Sequence, residues 1–189
     1  VGEAPLDLSK APVRLQVTGL ETRVLKGIDL EVRAGELLGV GGLQDQGQSD
    51  LLLAVFGVTP FSGDVRLAGE DVHFSHPREA MRERIALVPG DRATEGLLMR
   101  RSILENLQLP SWKRYGPLLN MEEARRDANR VADTLNLVMA GLSAQVSSLS
   151  GGNAQKVVLG KWLLRSPKLL LLNDPTKGVD VGTKQEFYN

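Results

Sequence analysis

Within this chain of 189 residues, the stretch GLQDQGQS at positions 42–49 narrows the possible folds most sharply. A short apolar run, ELLGV at 36–40, leads into it as a strand. SDLLLAVF at 49–56 leads out as a helix, which Gly57 closes. Strand, glycine-rich loop and helix form the setting of a phosphate-binding loop, G-x-x-x-x-G-K-[ST]. Gly42 and Gly47 let backbone N–H groups turn toward an anion at a helix N-terminus, where the dipole favours negative charge. Ser49, with Asp50 behind it, keeps the hydroxyl that holds Mg2+ in such loops. The lysine is missing. Gln48 stands in its place, and Asp45 adds a negative charge to the loop. Taken alone, the stretch also fits an ordinary strand–turn–helix connection.

Two further motifs lie downstream. SLSGGNAQK at 148–156 opens a helix that runs over 153–164 and stops before Ser166 and Pro167. Ser150, Gly151, Gly152 and Asn153 there offer a hydroxyl and bare backbone N–H groups to an anion. A serine N-cap explains the same residues without any ligand. LLLLNDPTKGVD at 169–180 then sets Asn173 and Asp174 at the end of an apolar strand of the kind buried on both faces. In phosphoryl transfer, a first acidic residue at such a strand end holds Mg2+ and a second polarises the attacking water. Turn chemistry before Pro175 is the plain alternative.

Between the motifs, VRLQV at 13–17 and IDLEV at 28–32 alternate as half-buried strands, and DVRLA at 64–68 and IALV at 85–88 read as further strands. Residues 121–138 form an amphipathic helix, with Ala124, Ala128, Val131, Leu135 and Val138 on its apolar face. The order predicts an α/β core with a mostly helical insert. Lys+Arg and Asp+Glu are equal at 23, so electrostatics favour neither nucleic acid nor an anionic membrane. Without cysteine, disulfides and thiolate metal sites are excluded. His73 and His76 read as surface or loop histidines, and Arg125 with Arg126 as a solvated helix face. Trp112 and Tyr115 fit either an exposed interface or the core.

Taken together, LSGGNAQKV at 149–157, Lys161 with Trp162, DPTKGVDVG at 174–182 and VPGDR at 88–92 resemble an ATP-binding-cassette (ABC) nucleotide-binding domain. More narrowly, they are similar to the second cassette of tandem subunits that drive monosaccharide uptake in bacteria. The resemblance covers the chain from about Val13 onward. It implies a P-loop NTPase-like α/β fold, with a mostly parallel central sheet, an antiparallel β part and a helical subdomain. The expected layout is a linker at 1–12, a core at 13–92, a helical signature subdomain at 93–165 and a return to the core at 166–189. The chain opens on Val1 and stops inside an apparent starting helix, so we expect a C-terminally truncated piece of a longer protein.

The resemblance also implies two cassettes facing head to tail, each ATP lying between the phosphate loop of one and the signature of the other. Residues for the chain's own nucleotide are altered. Gln48 replaces lysine, Gly90 stands where the family carries Gln or Glu, Asn173 replaces the Mg2+-organising Asp, and Asp174 replaces the catalytic Glu. No aromatic near 20–22 is placed to stack on adenine, and the sensing histidine would lie beyond Asn189. Residues for a partner's ATP are kept: Ser150, Gly151, Gly152, Asn153 and the D-loop Asp180. Asp91, Arg92 and the stretch SILENL at 102–107 are expected to face the loops of a membrane permease; a solvated loop and short helix is the alternative.

The expectation is therefore an ATP- and Mg2+-dependent import cassette on the cytoplasmic face of the inner membrane. Its partners would be a first cassette, a transmembrane permease and, indirectly, a periplasmic sugar-binding protein, with no nucleic acid. A nucleoside importer, an independently active ATPase and a soluble ABC protein acting on ribosomes or DNA are the rival readings. Which sugar or nucleoside is carried is not written in this chain.

Overall fold

The computed structural model describes residues 8–43 and 46–177, and the chain divides into two compact units, Val1–Ala86 and Leu87–Asn189. In the first unit, β1 (Val13–Glu21), β2 (Ile28–Arg33), β3 (Ser62–Leu67) and β4 (Glu70–Val72) form an antiparallel sheet in the order β2-β1-β3-β4. Alternation in β1 places Leu15 and Val17 in the core, with Val17 opposite both Leu30 and Val65. A register shift follows at Gly19, whose φ of 58° suits glycine, and Leu20 returns to the core opposite Ile28. The expected strand at 64–68 begins earlier and ends at Leu67, because Ala68 (φ 50°) and Gly69 (φ 90°) make the tight turn into β4.

The apolar run at 36–40 is not a strand. It lies outside both sheets, with Leu37 77 % and Val40 48 % exposed. Apolar residues alone do not make a strand, because its N–H and C=O groups need lateral partners that neither sheet supplies here. The next element forms as expected. Helix α1 (Gln48–Val55) ends where Gly57 (φ 78°) lets its own N–H reach the Ala54 carbonyl and the Val58 N–H reach that of Leu53. A short helix not anticipated from sequence, α2 (Pro77–Arg82), starts on proline, with the His76 ring accepting the Arg78 N–H.

Strand β5 (Ile85–Val88), buried along its length, enters the second unit at Leu87 and pairs with β6 (Leu169–Leu172), and the Asn173 N–H extends the pairing to the Val88 carbonyl. Three helices pack together: α3 (Ile103–Gln108), α4 (Met121–Thr134) and α5 (Gly151–Leu163). Ser102 and Glu105 form a capping box at the start of α3. Helix α4 stops short of the expected 138. Asn136 adopts a left-handed φ of 47°, and bonds from Asn136 to Asp133 and from Leu137 to Ala132 close the helix end. Val138 is therefore not on its apolar face but 73 % exposed. Ile103, Leu107, Val146, Val157 and Val158 fill the core. Gly160 lets α5 approach closely, since a Cβ there would lie 2.9 Å from both Leu107 and Val131. Tyr115 joins the core and donates to Asp127 at 3.2 Å; burial first, then the Asp127 charge, push its phenol pKa up. Trp112 is 42 % exposed.

Candidate functional site

The phosphate-loop residues belong to the first unit. Gly47 caps α1 in the left-handed region (φ 101°) with no side-chain cap, and its missing Cβ leaves room for Leu25. Gln48 turns back into the loop and donates from Nε2 to the Leu43 carbonyl at 3.0 Å. Its amide occupies the space a Cβ on Gly42 would need. Gln46 Oε1 accepts the Leu43 N–H at 3.3 Å. The two glutamine amides thus meet the N–H and the carbonyl of Leu43. Ser49 is exposed and Asp50 lies in the first turn of α1; Asp45 falls outside the described residues.

The signature residues belong to the second unit and are built differently. Ser150, extended at φ −62° and ψ 159°, caps α5. Its Oγ accepts the Asn153 N–H at 3.4 Å and the Asn153 Nδ2–H at 3.0 Å. Asn153 Oδ1 in turn accepts the Val138 N–H at 2.9 Å, tying the helix start to the segment after α4. Two of the first-turn N–H groups, on Gly151 and Gly152, have no acceptor within the helix by geometry. With the dipole of a 13-residue helix behind them, they can receive an anionic oxygen.

At the exit of β6, Asn173 sits beside Gly90. A Cβ on Gly90 would lie 3.3 Å from Asn173 Nδ2, so a side chain there would need the Asn173 amide to shift by a few tenths of an ångström. Asp174 is exposed with a left-handed φ of 43°, and its carbonyl accepts the Lys177 N–H at 3.1 Å. Asp91 and Arg92 are engaged within the chain. The Asp91 carboxylate accepts the Ala93 and Thr94 N–H groups at 2.9 and 3.3 Å, and those bonds hold its pKa below the usual carboxylate range. Arg92 donates to the Lys177 carbonyl at 2.6 Å. Asp180 lies outside the described residues.

Metal chemistry finds little support in this donor set. Asn173 brings no charge, Gly90 no side chain, and among the described residues no cluster of three or more His, Cys, Asp or Glu could hold an ion. Asn173 and Gly90 thus offer Mg2+ no charged ligand, while Ser49 offers a hydroxyl. No helix among the described residues is long and apolar enough to cross a membrane.

One residue was not singled out as functional from the sequence. Lys161 is 7 % exposed in the last turn of α5 and donates to the Gly96 carbonyl, and burial lowers its pKa to about 8. The sequence signal was there: Val157, Val158, Gly160 and Trp162 leave α5 no polar face.

Residues 25–177 match the family model described as ABC transporter. A ribose import ATP-binding protein, RbsA 1 of Mesorhizobium japonicum, is 45 % identical, covering 98 % of this chain and 37 % of its own length. The galactose/methyl galactoside import ATP-binding protein MglA of Treponema pallidum is 41 % identical, over 92 % of this chain and 36 % of its own. The chain thus spans about a third of the length of such curated relatives. Among solved structures, a dimeric post-hydrolysis state of the ATP-binding cassette MJ0796 with ADP and Pi superposes with a TM-score of 0.78. It is 22 % identical, covering 91 % of this chain and 78 % of that one, so it speaks for the cassette fold alone. With four-fifths of its length matched by the family model, and its strands and helices arranged as a cassette, the chain belongs to the ABC transporter family.

Proposed function

We propose that this chain is the signature-donating cassette of a bacterial carbohydrate importer, one that couples ATP binding and hydrolysis on a partner cassette to uptake. The observation that carries it is a contrast: the signature turn is capped by a side chain, while Gln48 folds back into the phosphate loop against Leu43 and Gly42. Ser150 Oγ and the N–H groups of Gly151 and Gly152 receive the γ-phosphate of ATP and Mg2+ held by the partner, Asn153 holds the turn, and Asp180 meets the dimer interface. On the chain's own side, Gly42, Gly47, Gln48, Ser49 and Asp50 form a loop that binds ATP weakly, and Asn173 with Asp174 does not support hydrolysis. Losing one preorganised charge-stabilising donor costs about 3–4 kcal/mol in a transition state, and this half-site has lost more than one. The import role draws on relatives named for ribose and galactose import. It places the domain at the cytoplasmic face of the membrane, with a permease and, beyond it, a periplasmic sugar-binding protein. Asp91 and Arg92 lie at the foot of a turn suited to meet the permease, though both are also tied within the chain.

The test is ATP turnover by the complete two-cassette subunit. Ser150→Arg, which blocks the open turn, is expected to abolish it, while Gln48→Ala leaves it within about twofold. The reverse pattern would show that the altered phosphate loop is the working one and would sink the proposal.

A further inference from the structure

Between β5 and α3 the chain makes a single short helical turn, Arg92–Gly96, and both ends of that turn are held by a cation on a carbonyl. At its start, Arg92 reaches out to the Lys177 carbonyl, the last link of the turn that follows Asn173 and Asp174. At its end, Lys161 reaches in from α5 to the Gly96 carbonyl. Asp91 keeps the turn wound by capping it, and the Glu95 N–H bonds to the Asp91 carbonyl at 3.0 Å. Gly96 also packs directly on α5, since a Cβ there would lie 3.2 Å from Val158, three residues before Lys161 on the same helix face.

The Lys161 contact is chemically uneconomical as packing. A buried ammonium is strongly disfavoured unless paired, and Lys161 forms none of the ion pairs found among the described residues. A methionine would fill the same space without that penalty. What the ammonium adds is direction: it fixes α5 to one carbonyl at the end of one turn.

We infer that Arg92 and Lys161 make the Arg92–Gly96 turn a strut between the turn at 173–177 and the signature helix. Through it, the position of Ser150 follows the state of the residues leaving β6. Both are positioning residues; neither touches ATP. The inference rests on the proposed role of Ser150 at the partner's ATP.

A double-mutant cycle on the complete two-cassette subunit tests it, with ATP titrated so that kcat and KM separate. Arg92→Gln and Lys161→Gln are each expected to lower kcat about five- to tenfold with KM for ATP within twofold. The double variant should be no more than twofold below the worse single variant, because a strut cut at either end is already cut. Lys161→Arg, which keeps a cationic donor, should recover most of the activity. Multiplying effects, or a failure of Lys161→Arg to outperform Lys161→Gln, would overturn the strut. If Lys161→Gln does not fold, Gly96→Ala serves instead, lifting the same end off Val158 while every charge remains, and the same non-additivity with Arg92→Gln is expected. Ser150→Arg separates the two levels. If it leaves turnover intact, the proposed function fails; if it abolishes turnover while the Arg92 and Lys161 effects multiply, the strut alone fails.

Discussion

Two helices of this chain begin in glycine-containing turns of similar outline, and they have been built to different standards. At α1 the N-cap is Gly47, with no side chain to hold it, and three of its eight residues are buried. At α5 the N-cap is Ser150, locked by Asn153 to Val138, and nine of its thirteen residues are buried, so the start of α5 is far better supported. Helix N-termini attract anions in both cases. The difference lies in what holds them: α1 opens onto a loop where Gln46 and Gln48 bond to Leu43, whereas α5 starts from a side-chain-capped turn on a deeply packed helix. A helix dipole alone does not make a binding site. What matters is whether the donors are free and whether the packing behind them keeps them still.

The contrast is broken most forcefully at Lys161, the charge buried in the last turn of the well-packed helix. Burial lowers its pKa from 10.5 to about 8. Between those values the unfolded chain holds the proton and the folded chain does not, so raising the pH favours folding. Below pH 8 the penalty is present in full; above 10.5 it is gone. The stability gain across that window is expected to be on the order of 3 kcal/mol. Urea unfolding at pH 7, 9 and 10.5 should show the rise for the natural chain and a flatter profile for Lys161→Met. Equal profiles would mean the ammonium reaches water and α5 is looser than its burial indicates.

A second, smaller break compares two glycines. Gly160→Val pushes methyl groups toward Leu107 and Val131, already 2.9 Å from a single Cβ, and is expected to cost about 2 kcal/mol. Gly41→Ala, in the run before the phosphate loop, meets nothing within 4 Å and should change stability by under about 0.5 kcal/mol. Denaturant midpoints for the two variants measure this directly. Comparable losses would remove the packing half of the contrast.

These same regions mark what could be read from the sequence. Strand β1 follows its period because its inward face is buried, and β5 and α5 follow their apolar runs into the core; β2 is only half-buried, and β6, expected to be buried on both faces, buries Leu171 alone. The run at 36–40 failed because a strand is defined by partners that no local pattern names. Helix α4 ended early because Asn136 accepts a left-handed conformation that periodicity does not register. Helix α2 went unseen because its cap is a histidine rather than Ser, Thr, Asp or Asn. In the candidate site, Gln48, Gly90 and Asn173 were legible as uncharged residues at motif positions. That Gln48 folds back to the Leu43 carbonyl, and that Asn173 lies against Gly90, depends on side-chain directions that sequence does not carry.

Removing the cap gives a smaller effect. Ser150→Ala takes away the acceptor for the Asn153 backbone and side-chain donors and is expected to cost about 1 kcal/mol. Gln48→Ala removes one hydrogen bond in an exposed loop and should cost only a few tenths. Thermal melts of the two variants side by side would show whether the caps differ as the structure indicates.

The mildest change sharpens the contrast by trying to undo it. Gln48→Lys restores the loop's missing charge and withdraws the amide that fills the space at Gly42. Yet Gln46 still takes the Leu43 N–H, and Asn173 still brings no carboxylate. An exposed added charge is worth about 1 kcal/mol at most, so ATP affinity measured by titration calorimetry should tighten by less than tenfold. A hundredfold gain would mean that the backbone cradle is intact and that Gln48 alone kept nucleotide out. No change at all would place the defect in the loop's backbone rather than in the side chain at 48.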